Sequence, residues 1–135
     1  MIEQEPVKSA EVQSKETKAP QLKACTFKVG SHTFSIALEY VKEITEASEI
    51  FPLPLTPPYV EGIVHLRGSA IPVISIGKIK NINDDQTKAK QLIVLDLGSD
   101  KLGIAVSEIP DLSTEFLGEL IDVHKIYETY RITQC

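Results

Sequence analysis

The sequence predicts a mainly β chain, folded as a small barrel or a pair of small barrels. Short apolar runs rich in β-branched and aromatic residues recur at 25–29, 34–38, 59–66, 69–76, 91–97 and 102–107. Clusters of Gly, Ser, Asn and Asp separate most of them, and these are turn residues. The runs have strand length and are joined with at most one or two helical turns between them, which is the pattern of barrels and not of alternating βα units.

The elements follow in order. Residues 1–23 hold no aromatic residue, two prolines (Pro6 and Pro20) and mixed charge, so they are expected to be a disordered tail ahead of a domain at 24–135. Cys25, Phe27 and Val29 alternate on one face, as do Phe34, Ile36 and Leu38, with a turn at Gly30-Ser31-His32 between them, so the pair reads as a hairpin. Glu39–Ile44 switches to helical spacing, with Tyr40, Val41 and Ile44 on one side, and predicts one or two helical turns. Residues 45–58 contain Pro52, Pro54, Pro57 and Pro58 and read as a stiff extended connection.

Tyr59–Leu66 and Ser69–Ile76 are read as paired strands joined at Arg67-Gly68. Pro72 lacks an N–H, so the second strand is expected at a sheet edge, or with that position off the ladder. Asn81–Lys88 is a polar loop. Gln91–Leu97 and Leu102–Ser107 bracket Gly98–Lys101 as a further hairpin. A final strand-and-helix signal lies in Leu120–Tyr130.

Composition narrows the function. A chain of 135 residues has the length of one domain, and a domain of that size buries about two-thirds of its unfolded surface. It has no apolar run of membrane-spanning length, and acids stand where a signal peptide needs a basic segment, so the expectation is a soluble cytoplasmic protein. Two cysteines, Cys25 and Cys135, show no metal or CxxC spacing; Cys25 reads as a buried reduced thiol. The net charge is −5, and because charges cancel in residues 1–23 the excess lies on the body. An acidic body without a basic cluster argues against nucleic acid and against anionic membranes.

No residue set suits catalysis. His32, His65 and His124 stand far apart with no ligand at metal spacing. Asp84-Asp85 lacks the βα alternation of a phosphoacceptor pocket, and the glycines form no phosphate cradle. No serine sits in a nucleophile elbow. The chain is expected to be neither an enzyme nor a cofactor or metal carrier. Arg67 is the residue that stands out, because arginine occurs only there and at Arg131 while lysine is common. At a strand junction it either pairs with a nearby acid or anchors a partner, and the two roles are compatible.

The stretch Gly62-Ile63-Val64-His65-Leu66-Arg67-Gly68, followed by Ile71-Pro72-Val73-Ile74, resembles the signature of the CheW-like coupling proteins of bacterial chemotaxis. Phe27-Lys28-Val29-Gly30, Phe34-Ser35-Ile36, Val41-Lys42-Glu43-Ile44 and Pro57-Pro58-Tyr59-Val60 follow the family's order upstream. Leu92–Leu95 and Leu102–Val106 follow it downstream. The resemblance covers roughly residues 23–116.

That resemblance implies two small SH3-like β-barrel subdomains with minor helix, the second of them shortened, since much of what should precede Leu120 is missing. It implies a non-catalytic adaptor joining the cytoplasmic tip of a chemoreceptor to the regulatory domain of a CheA-type histidine kinase. By the same resemblance the receptor face uses Val41, Glu43, Ile44 and Arg67, and the kinase face lies around Gly62 and Gly68. His65 replaces the family's asparagine and Ser75 its frequent aspartate. These departures leave open a divergent copy that serves a specialised motility pathway and binds one partner. A small nucleic-acid-binding barrel is the alternative of another class, against which the acidic body speaks.

Overall fold

The computed structural model describes residues 21–134 except Ser48, 83–89 and Ser99. Most of the expected tail, the Asp84-Asp85 pair and Cys135 lie outside the described residues. Nine strands form two sheets among the described residues: β1 (Ala24–Val29), β2 (His32–Ala37), β3 (Val41–Glu46), β4 (Val60–Leu66), β5 (Ser69–Ile74), β6 (Gln91–Asp96), β7 (Lys101–Val106), β8 (Asp111–Ser113) and β9 (Glu119–Leu120). A four-stranded sheet runs β8-β1-β2-β9, and a five-stranded sheet runs β3-β6-β7-β5-β4. Among the described residues two α-helices complete the fold, α1 (Ile76–Ile79) and α2 (Val123–Gln134). The smaller sheet is a six-residue hairpin flanked by strands of three and two residues.

The five-stranded sheet buries both faces. Ile93 and Leu95 of β6 point into the main core, with Cys25, Phe27, Phe34 and Ile36 of the other sheet. Leu92 and Val94 point the opposite way, into a second cluster with Val64, Ile71 and Val73. A strand covered on both sides reads as an uninterrupted apolar run, which is why Leu92-Ile93-Val94-Leu95 shows no alternation. In the smaller sheet Cys25, Phe27 and Val29 turn one face into the main core, while on the other face of β1 Ala24 and Thr26 are buried and Lys28 is exposed. Helix α2 docks Val123 and Ile126 into the main core, and Asp122 Oδ1 accepts the Lys125 amide at 3.1 Å at its start.

Two expectations need correction, and that for Pro72 holds in its second form only. The helical spacing at 39–44 yields only a 3-10 turn at Leu38–Tyr40; Val41–Glu46 is a strand, because its β-branched residues pair with β6. Lys42 is the extra residue of a bulge between the Val41↔Leu95 and Glu43↔Val94 pairs. Strand β5 is interior, not an edge, yet β7 joins it only from Val73 onward, so Pro72 precedes that ladder. The second strand of the central pair ends at Ile74, and Ser75 caps α1 by accepting the Lys78 amide at 3.3 Å. Serine and aspartate are both good caps, so Ser75 in place of aspartate preserves this local role.

Candidate functional site

The β4–β5 turn is built from two residues with positive φ, Arg67 at 51° and Gly68 at 83°, between the paired Leu66 and Ser69. Positive φ at both central positions is what a two-residue type I′ hairpin requires, since its twist matches the strands. Gly68 takes that conformation freely; a Cβ there would meet nothing within 4 Å, so conformation and not space restricts the position. The turn aims Arg67 away from β5 and across the open side of the sheet.

There it meets Glu43 of β3. Arg67 Nη2 donates to Glu43 Oε1 at 2.6 Å, and Nε donates to Oε2 at 3.2 Å. Because β3 and β4 are the two edges of the five-stranded sheet, this fork bridges its edges on the side of the second cluster. The bond from Arg67 holds the Glu43 carboxyl below the usual carboxylate range. The Arg67 side chain is 68 % exposed and that of Glu43 20 %, so one edge of the guanidinium remains turned to solvent.

The structure thus joins Glu43, Arg67 and Gly68 at one barrel end, and separates the other expected site residues from them. Val41 and Ile44 oppose Leu95 and Ile93 and pack half-buried against the main core, on the opposite face of β3 from Glu43. Gly62 is buried. Its φ is 141°, and a Cβ would lie 2.2 Å from the Phe51 carbonyl oxygen. Its absence lets residue 51 lie close beside β4, where Phe51 and Ile63 exchange backbone bonds of 2.8 and 2.9 Å as an antiparallel bridge. Gly62 therefore shapes the surface above it without forming that surface.

Sequence reasoning missed that surface. Phe51, 43 % exposed, lies edge-on to the exposed ring of His65 with centroids 5.7 Å apart. Beyond it Leu55 is fully exposed. The remaining histidines also lie against rings, His124 edge-on to Tyr40 at 5.2 Å and His32 stacked on Phe34 at 6.4 Å. Among the described residues no cluster of His, Cys, Asp and Glu could hold a metal, and no helix is long and apolar enough to cross a membrane.

Comparison with known proteins gives a consistent result. The model of the CheW-like domain family matches residues 23–114. The chemotaxis protein CheW of Treponema pallidum is 31% identical over 94 residues, covering 66% of this chain and 55% of that protein. The chemotaxis protein CheW of Thermotoga maritima is 28% identical over 89 residues, covering 66% of this chain and 59% of that protein. The chain therefore spans a little over half the length of these curated relatives. Among solved structures, the scaffolding protein TtCheW of Thermoanaerobacter tengcongensis superposes with a TM-score of 0.61 at 26% identity, over 73% of this chain and 65% of that one.

Proposed function

Since the chain belongs to the CheW-like domain family, we propose that it is a non-catalytic adaptor of bacterial chemotaxis that couples chemoreceptors to a CheA-type histidine kinase. The observation that supports this reading best is the Glu43–Arg67 fork at the rim of the five-stranded barrel. Two charged groups held rigidly at a surface, with a planar donor edge still open, suit recognition of a partner carboxylate better than they suit stabilising the fold.

Under this reading Glu43, Arg67 and the flanking strand β3 form the receptor face, taking the amphipathic helix hairpin of a receptor tip. Val41 and Ile44 support that face from beneath. The kinase face is the surface above Gly62, next to the Arg67-Gly68 turn. One small scaffold with two faces holds receptor and kinase together by affinity alone. It acts in the cytoplasm without a cofactor, and it does not bind nucleic acid.

The test is binding of the purified chain to two separate probes, the cytoplasmic tip fragment of a chemoreceptor and the regulatory domain of a CheA-type kinase. Binding to both, jointly and without mutual displacement, is the expected result. Failure to bind either would sink the coupling reading, and binding to only one would favour the one-partner copy.

A further inference from the structure

Leu55 sits at φ 59°, in the left-handed region, with its side chain fully exposed (104 %). A leucine there is strained, because its Cβ crowds the following carbonyl; glycine or asparagine would adopt the same backbone at less cost. Burial does not compensate within the monomer, since the side chain touches solvent on all sides. The backbone holds it out firmly. Pro54 precedes it, Thr56 Oγ1 donates to the Leu53 carbonyl at 3.1 Å, and Phe51 is tied to Ile63 by two backbone bonds. Pro52, Pro57 and Pro58 restrict the flanks further. Strain held by an over-determined backbone at an exposed apolar side chain is the form a binding element takes.

The flanking sequence gives the partner's chemistry. Residues 46–61 carry Glu46, Glu49 and Glu61 with no lysine or arginine. Glu61 is 3.4 Å from Lys78, while Glu46 and Glu49 are exposed. Acidic residues that flank the loop in sequence, with Glu46 and Glu49 exposed, complement a leucine-sized apolar pocket rimmed by basic side chains.

We propose that Leu55 is the anchor of the kinase face, inserting into such a basic-rimmed apolar pocket on the kinase regulatory domain. The inference rests on the coupling reading and names the residue on which its kinase half depends. A stiff loop presents the side chain already ordered, so docking loses little conformational entropy.

The experiment uses the full chain and two variants, Leu55→Asn and Leu55→Gly, with the kinase regulatory domain and the receptor tip fragment as separate probes. Asparagine tolerates left-handed backbone, so Leu55→Asn should hold or raise the thermal midpoint. It should weaken kinase-domain binding by about tenfold or more, as loss of a central anchor does, and leave receptor binding as in the wild type. Wild-type binding to the kinase domain should fall as salt rises. Unchanged kinase-domain affinity in both variants overturns the Leu55 assignment and leaves the coupling reading standing. Salt-independent binding overturns the basic rim. A large drop in the midpoint of Leu55→Asn would make Leu55 structural and overturn the proposal. A wild type that binds the receptor fragment but not the kinase domain removes the kinase half of the coupling reading, and this proposal with it.

Discussion

Arg67 and Glu43 join the two edges of the five-stranded sheet by a forked ion pair, at 2.6 and 3.2 Å, across 24 residues of sequence. The pair stands at the surface, where such contacts add little to folding. Its position therefore matters more than its strength: it fixes the guanidinium in one orientation at the barrel rim.

Charge reversal separates these roles. Arg67→Glu should shift the thermal midpoint only slightly, because no cavity opens and the Arg67 side chain is largely exposed. It should weaken receptor-fragment binding by about tenfold or more, with Arg67→Lys between, since lysine keeps the charge and loses the planar fork. The double change Glu43→Arg with Arg67→Glu restores a pair but should not restore binding. Calorimetric titration of the three variants checks this order. In the wild type, the pair's contribution to folding is present at neutral pH. It is lost as pH falls through the lowered Glu43 pKa, because protonation removes the carboxylate that Arg67 holds.

The two glycines of β4 and its turn should respond differently to alanine. Gly62→Ala puts a Cβ 2.2 Å from the Phe51 carbonyl oxygen at φ 141°, so either the 51–52 segment or β4, which bulges between the Val60↔Ile74 and Gly62↔Val73 pairs, must move. A loss of about 3 kcal/mol or more, or failure to fold, is expected for such a backbone clash. Gly68→Ala meets no atom and is left only with the strain of φ 83°, about 1 kcal/mol. Urea titrations of both variants give the comparison, and equal losses would contradict the close approach of residue 51 to β4.

Much of this fold was legible in the sequence, for physical reasons. Cys25, Phe27 and Val29 alternate because they turn one face of their strand into the main core, and the Leu92–Leu95 run is apolar throughout because apolar clusters lie on both faces of its sheet. Long-range pairing was not legible. Strand β3 forms where local spacing suggested helix, since β6 supplies its hydrogen bonds from a distant segment. Pro72 lies in an interior strand because the parallel ladder to β7 begins one residue later. Arg67 stood out by its scarcity and its place at a strand junction. Glu43 came from the resemblance, and nothing local indicated that the two would meet. Leu55 was lost inside a proline-rich connection, where an exposed apolar residue leaves no periodic trace.

Cys25 gives a pH-dependent prediction. Its side chain is fully buried, and burial, followed by the nearby Asp111 charge, pushes the thiol up to about 11. A thiol whose pKa is raised on folding favours the folded state fully below its unfolded pKa. That advantage is lost as pH rises toward the folded value, so stability should decline between about pH 9 and 11. The same thiol should resist iodoacetamide in the native protein and react in denaturant. Peptide mapping by mass spectrometry reads this directly, and rapid native labelling of Cys25 would contradict its burial.

The central claim is that the barrel rim carrying Arg67 and Glu43 couples a receptor to a kinase. The most direct measurement is autophosphorylation of a CheA-type kinase reconstituted with receptor signalling domains, with the wild-type chain, with Arg67→Glu, or with neither. Wild type is expected to place kinase activity under receptor control, and Arg67→Glu, folded and at equal concentration, to give the activity seen with no adaptor. Wild type that leaves the kinase unchanged, or Arg67→Glu that couples as well as wild type, would contradict it.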